Sequence, residues 1–302
     1  MRSAMPTAQA LRLCPELLVA PVDIAKYRAV SVQMHEIFDG FTDLIEPLSL
    51  DEAFLDVTDT DLLQGSASLI ANAIRSAVRE ELGITVSAGV SVNKFVAKVA
   101  SDWHKPDGMK VVTPEEVDVF VAALPVKAIP GVGPVTADKL HRMGLRSCGD
   151  LRAADPLMLK RRFGSFGQTL VERAHGRDDR AVNPSRVRKS ISVEHTYSSD
   201  LGNGAPCLAK LPGLLEELAQ RIERSRISDR VQKAYVKIKF NDFSTTTVER
   251  VGTLATLADY QLLMEDGLAR KALPVRLLGI GVRLKPDRTG EFEQLPLRME
   301  IP

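Results

Sequence analysis

The sequence predicts an α+β chain built from several modules, and three observations predict it. The first third alternates short strands with helices around an acidic hairpin. The middle is helical and punctuated by glycine. The last third alternates apolar-patterned strands with two amphipathic helices. A length of 302 residues gives a prior of about two domains. A composition 44% hydrophobic and 26% charged excludes a disordered or collagen-like chain.

In chain order, Ala8–Cys14 form a short amphipathic stretch cut by Pro15, with no strand before it. Val22 to Phe38 carries a helical pattern through Ile24, Tyr27, Val30, Val32 and Ile37. Ile45–Val57 reads as two short strands that meet at the acidic pair Asp51-Glu52. A helix over Ala67–Leu82 follows, then an alternating strand through Ile84, Val86, Ala88, Val90 and Val92, then a helix from Asn93 to about Trp103. Between Pro125 and Gly176 short helices are joined by glycine-rich turns. Ser190–His195, Ala234–Phe240, Thr245–Val251 and Val275–Leu284 read as strands, with helices near Leu211–Ser225 and Leu257–Lys271 between them. Residues 287–302 show little periodicity and read as a flexible tail.

Lys and Arg number 40 against 39 Asp and Glu, a net of +1 that by itself argues against a nucleic-acid binder. The total hides a split. Residues 1–125 hold 10 basic and 18 acidic side chains, whereas residues 126–302 hold 30 and 21. Such asymmetry suits an acidic part joined to one that meets polyanions, or simply two solvated surfaces. Residues 180–189 carry four positive charges and no negative ones, which suits a linker lying on a polyanion. Cys14, Cys148 and Cys207 match no CxxC or zinc spacing, arguing against a disulfide framework or structural metal and for a reducing, cytoplasmic setting. No apolar run approaches a membrane span, and Met1-Arg2-Ser3 does not lead into a signal sequence.

The sharpest local feature is Ser49-Leu50-Asp51-Glu52-Ala53. Adjacent carboxylates on a regular strand point to opposite faces, but at a hairpin both can converge on one cation, and hard oxygens suit Mg²⁺. Asp-Glu is also an ordinary turn dipeptide. The helix opening at Asn93 places Lys94 and Lys98 on one face, solvated or aimed at a polyanion. It stops at His104-Lys105-Pro106-Asp107-Gly108, a turn that holds Lys105 on a rigid tip within reach of a triphosphate, were one bound. Ile129-Pro130-Gly131-Val132-Gly133-Pro134 before Val135–Met143 reads as a helix-hairpin-helix turn aiming backbone N–H groups at a phosphate. A dinucleotide fingerprint is the rival, but the third glycine and the βαβ unit are missing. Phe163-Gly164-Ser165-Phe166-Gly167, beside Lys160, Arg161 and Arg162, is a second such turn or local packing.

Together these segments resemble the Y-family translesion DNA polymerases. The resemblance runs through RSAMP (2–6), EPLSLDEAFLDVT (46–58), SAGVSVNKFVAKVASDWHKPDG (87–108), IPGVGPVTADKLHRMGL (129–145), RRFGSFG (161–167) and RKSISVEHT (188–196). It implies a right-hand polymerase: a fingers remnant at 1–21, palm at 22–115, thumb at 116–179, basic linker at 180–189, little finger at 190–286 and tail at 287–302. By resemblance, Asp51 and Glu52 are catalytic and hold Mg²⁺, with Asp51 bridging two ions and Glu52 near the primer 3′-hydroxyl. Lys105 contacts the incoming dNTP, and Ser49 and Ser87 support the site. Gly131, Val132, Gly133, Arg186, Arg188 and Lys189 hold the DNA backbone. Gln294, Leu295, Pro296 and Leu297 are similar to a sliding-clamp-binding motif, although Arg298 stands where an apolar residue is common. The implied enzyme is a monomer working in error-prone translesion synthesis and DNA repair.

One departure bears on activity. The family begins with a β-strand carrying an Asp that binds both metals, an aromatic steric gate, and early fingers with Tyr and Arg on the triphosphate. This sequence opens inside the fingers, about fifty residues later, without that strand of the palm sheet. Two-metal transfer needs carboxylates spanning both cations, so a truncated, weakly active or inactive polymerase is expected. A non-catalytic DNA- and clamp-binding protein and a nonfunctional remnant are the rival readings.

Overall fold

The computed structural model describes residues 4–185, 187–250 and 255–285. The chain divides into two compact units, residues 1–185 and 186–302. The first begins with α1 (Thr7–Leu13) and α2 (Ile24–Asp39), the latter capped by Asp23, whose side chain accepts from the Lys26 amide at 3.0 Å. Two strands follow as an antiparallel hairpin, β1 (Ile45–Pro47) and β2 (Ala53–Leu55), in the register Ile45 opposite Leu55. Next come α3 (Ala67–Leu82), opened by a Ser66 cap, then β3 (Ala88–Val90), α4 (Lys94–Ser101) and β4 (Met109–Val111). β3 and β4 pair in parallel, with Ala88 opposite Met109, and α4 makes the crossover such pairing requires.

Met34 and Phe38 from α2, Ile45 from β1, and Ile70, Ile74 and Val78 at helical spacing on α3 form one small core. A second core joins α4 to the helices that follow it. Phe95, Val96, Val99 and Ala100 share it with Leu140, Leu151, Leu159 and Leu170. These leucines lie on α6 (Pro134–Arg142), α7 (Cys148–Ala153), α8 (Pro156–Phe163) and α9 (Ser165–Ala174), reached through α5 (Val117–Ala122). Fully burying each contributes about 1.5–3 kcal/mol before entropy is charged against it. This shared core is why the β-containing part and the helical part behave as one unit.

The second unit is a four-stranded antiparallel sheet in the order β5-β8-β6-β7. Its strands are β5 (Ser190–Leu201), β6 (Val231–Phe240), β7 (Thr245–Glu249) and β8 (Val275–Leu284). A short helix α10 (Ala205–Leu208) precedes α11 (Leu211–Ser225), and α12 (Leu257–Ala269) lies between β7 and β8 in sequence. Alternate residues Ala234, Val236, Ile238 and Phe240 of β6 enter the core with Leu214, Leu218, Tyr260 and Leu263 of α11 and α12. The opposite face of β6 carries Lys233, Tyr235, Lys237 and Lys239.

Several elements differ in extent from their sequence pattern. The alternating run 84–92 yields a strand only over Ala88–Val90, because β4 is the one partner it finds among the described residues. β4 itself, three residues long, has no periodicity to betray it. Ser190–His195 extends to Leu201 by pairing with β8 through a register shift. The strand begun at Thr245 ends at Glu249, and Val251 lies outside the described residues. The 287–302 tail, with Gln294, Leu295, Pro296 and Leu297, also lies outside them, as does Arg186. Among the described residues no helix is long and apolar enough to cross a membrane.

Candidate active site

The acidic pair occupies the tip of the β1–β2 hairpin. Pro47 ends β1, and the amides of Leu48 and Ser49 close the connection by donating to the Glu52 carbonyl at 2.8 and 3.3 Å. Ser49 Oγ donates to Asp51 Oδ1 at 2.6 Å. Glu52 turns instead toward α4, where Lys98 Nζ donates to its Oε1 at 2.7 Å. The two carboxylates therefore have different partners, a hydroxyl and an ammonium. Lys98 and Glu52 remain 27% and 40% exposed, so their pairing adds little stability and is open to exchange with another cation.

Asn93 starts α4 as its cap, accepting from the Val96 amide at 3.0 Å. Lys94 and Lys98 share a face, as their spacing requires, but only Lys98 serves the hairpin tip. Lys94 is 7% exposed, so the solvated reading fails for it. Its Nζ donates to Glu46 Oε2 at 2.5 Å and to the Ala181 carbonyl at 3.0 Å. Glu46 also accepts from the Asn183 amide at 2.8 Å, and Asn93 Nδ2 donates to the Gly176 carbonyl at 2.7 Å. Burial alone would raise the Glu46 pKa, but Lys94 and the Asn183 amide outweigh it and hold the carboxyl below its ordinary value. These bonds strap residues 176–183 to β1 and α4.

Lys105 follows α4 and pairs with Asp102, Nζ to Oδ1 2.7 Å. That hydrogen bond, with the negative charges of Glu52 and Asp51, raises its pKa against the lowering effect of desolvation, so Lys105 is a firm cation. Its loop is stapled from α3. Asp107 takes Arg75 Nη2 at 3.1 Å on Oδ1 and Arg79 on Oδ2. Ser87 Oγ accepts from the Gly108 amide at 3.4 Å. Sequence reasoning did not single out Arg75, Arg79, Asp102 or Glu46. The i, i+4 spacing of the two arginines was the available signal.

A cavity of about 510 Å³ joins these groups. Asp51, Glu52, Lys98 and Lys105 line it together with Met34, Phe38, Ile70 and Ile74, and so do the strand residues 53–55 and 88–90. β1–β2 and β3–β4 are separate two-stranded sheets, so β2 and β3 each keep an unpaired edge among the described residues. Both border this one cavity, with the charged side chains along its lining. Gly89 keeps β3 against α4, since a Cβ there would lie 2.0 Å from the Ala97 carbonyl oxygen and 2.4 Å from the Ser101 amide.

Two adjacent carboxylates beside lysines suit one divalent cation that shares a triphosphate, since Mg²⁺ takes one or two carboxylates and fills its other positions with phosphate and water. Among the described residues no group of three or more His, Cys, Asp or Glu is placed to hold a metal. A two-metal arrangement needs carboxylates spanning both ions. At this tip Asp51 and Glu52 are the carboxylates available to a cation, and among the described residues no third stands with them to span a second.

Away from this tip, Gly131 has φ 93°, and a Cβ on it would meet the Phe166 ring at 3.2 Å, so the two glycine-rich turns pack on each other. Val132 is buried, and Gly133 opens α6 as its cap residue. Arg188 and Lys189 are exposed. Their carbonyls are tied down by Arg230 Nη2 at 3.4 Å and the Leu284 amide at 3.0 Å, leaving the cationic heads outward.

Comparisons with known proteins identify what the chain is similar to. Residues 1–102 match the impB/mucB/samB family, residues 127–178 the thumb domain of DNA polymerase-iota, and residues 188–295 the impB/mucB/samB family C-terminal domain. The chain is similar to the DNA polymerase IV of Ralstonia nicotianae, 54% identical over 94% of this chain and 80% of the relative. It is similar also to the DNA polymerase IV of Ectopseudomonas mendocina, 54% identical over 98% of this chain and 84% of the relative. Among solved structures, a Y-family DNA polymerase chimera of Dbh and Dpo4 superposes with a TM-score of 0.81 at 24% identity, covering 94% of this chain and 83% of the other. An insertion ternary complex of Dbh DNA polymerase gives 0.62 at 24% identity, with coverage of 94% and 83%.

Proposed function

The chain belongs to the Y-family DNA polymerases, in the branch of the bacterial DNA polymerases IV, and from that premise we propose which of its residues do what. Its activity is DNA-directed DNA synthesis, the template-directed addition of nucleotides to a primer in error-prone translesion synthesis. DNA and dNTPs are its partners, and enzymes of this kind generally use a divalent metal.

Asp51 and Glu52 are the residues that would hold Mg²⁺, and Glu52 is the carboxylate assigned to the primer 3′-hydroxyl. Bound Mg²⁺ would supply charge neutralisation and polarisation of the phosphoryl group. Ser49 orients Asp51. Lys98 holds Glu52 in place until substrate arrives. Lys105 exchanges Asp102 for the triphosphate, an exchange that costs little because both partners are more than half exposed. The Gly131-Val132-Gly133 turn with Arg186, Arg188 and Lys189 takes the DNA backbone, Gln294–Leu297 docks on a sliding clamp, and the protein works as a monomer in the cytoplasm. The 22–115, 116–179 and 190–286 segments serve as palm, thumb and little finger.

The observation that carries this reading is the convergence of Asp51, Glu52, Lys98 and Lys105 on one cavity. That convergence favours an enzyme over a purely DNA- and clamp-binding protein. With no third carboxylate beside Asp51 and Glu52 among the described residues, slow primer extension is expected. Primer extension with Mg²⁺ and dNTPs tests it. A slow rate abolished in Asp51→Asn supports the assignment, and a rate that survives Asp51→Asn overturns it.

A further inference from the structure

The β6–β7 connection is a three-residue loop, Asn241–Phe243, closed by the Phe243 amide on the Phe240 carbonyl at 3.0 Å and the Phe240 amide on the Ser244 carbonyl at 2.9 Å. In such loops the third residue adopts the left-handed conformation and glycine is the ordinary choice. Here that position is Phe243, with φ 65°. A bulky residue there is a strained outlier, and strain that persists points toward function.

The tip is anchored on both sides. Asp242 Oδ1 accepts from the Ser244 amide and hydroxyl at 3.0 and 2.6 Å, Lys271 pairs with Asp242, and the Asn241 amide donates to the Pro274 carbonyl at 2.9 Å. Yet the ring itself is 63% exposed. Two cations approach it, with Lys239 Nζ 5.0 Å and Arg276 Cζ 5.4 Å from its centroid. Along this face of β6, Lys233 and Lys237 are matched by Glu249 and Glu194 at 2.6 and 2.7 Å. Lys239 has no carboxylate partner among the described residues, and Arg276 reaches Asp200 only at 3.9 Å. Positive charge with little carboxylate pairing is thus concentrated beside this exposed ring.

An exposed aromatic ring beside two cations is complementary to a polyanion that carries flat apolar groups, which is the chemistry of a DNA strand. We infer that Phe243 is a DNA-contact residue, its ring stacking on a DNA strand whose phosphates pair with Lys239 and Arg276. The inference rests on the polymerase reading and adds to it a contact that charge alone does not supply.

Fluorescence anisotropy on primer–template DNA with a single-stranded template overhang, over a range of salt, tests it with the wild type, Phe243→Gly and Lys239→Ala. Glycine relieves the left-handed φ, so the turn in Phe243→Gly keeps or gains stability, which a thermal melt verifies. Phe243→Gly should weaken binding about tenfold at every salt concentration with an unchanged slope of log K against log salt. Lys239→Ala should instead lower that slope by about 0.9. Phe243→Gly binding within about twofold of wild type overturns the contact while leaving the polymerase reading intact. A wild type that fails to bind DNA overturns both.

Discussion

Replacing Lys94 by methionine should unfasten the strap that ties residues 176–183 to β1 and α4. The Lys94 side chain is 8% exposed and that of Glu46 21%. Removing one partner of a fully buried pair costs about 3–5 kcal/mol, because the other charge is left uncompensated. Glu46 keeps some solvent and the Asn183 amide, so about 2–3 kcal/mol is expected here. Methionine preserves the apolar stem, which assigns the loss to the ammonium. In a unit of this size each kcal/mol moves the midpoint by about 2–4 °C, which puts the fall at about 4–12 °C. Trp103 is the only tryptophan and lies against Phe120 at 5.0 Å within the first unit, so its fluorescence follows that unit alone. Glu46→Gln and the double variant complete a cycle in which a coupling of at least about 1 kcal/mol is expected. Because the Glu46 pKa is lowered from 4.5 on folding, the strap's contribution is complete above that value and fades as pH falls through the lower folded value. A Lys94→Met protein that melts with the wild type, or a cycle with no coupling, would refute the reasoning.

Asp242 is drawn down to about 2 by Lys271 and Ser244 from an ordinary 3.8. A depressed carboxyl stabilises the folded state above its unfolded pKa and loses that effect as pH falls through the folded one. The stabilities of wild type and Asp242→Asn should therefore differ above pH 4 and converge near pH 2, in chemical denaturation across that window. Gly89→Ala should destabilise the first unit by about 3 kcal/mol or more, since the atoms its Cβ would strike at 2.0 and 2.4 Å are α4 backbone, which has no rotamer to yield. An unchanged Trp103 melt would contradict it.

The hairpin tip was legible because Ser49–Ala53 sits between two apolar runs short enough to be strands only. The spacing of Lys94 and Lys98 placed them on one helix face but could not divide their roles. Lys94 is buried by groups 48 and 87 residues away in sequence, Glu46 and the Ala181 carbonyl, and no local pattern reports such partners. Lys105 read as a tip held for a triphosphate, and its pairing with Asp102 three residues earlier is set by the turn that ends the helix rather than by any apolar period. β4 escaped because three residues carry no period, and its strand state comes from pairing with β3. The helices of residues 134–174 were visible through Gly131 and Gly164, whose positive φ values mark the turn before α6 and the turn between α8 and α9. Phe243 gave no warning, since a left-handed turn position is sought by looking for glycine.

The assignment of Asp51 and Glu52 to cation and triphosphate binding is tested most directly by calorimetric titration of a dNTP into the 302-residue protein, with and without Mn²⁺ as a stand-in for Mg²⁺. The wild type should bind the nucleotide in a metal-dependent way, and Asp51→Asn/Glu52→Gln should lose the metal dependence while retaining its fold by the Trp103 melt. Equal metal-dependent binding by the wild type and the double variant would contradict the assignment.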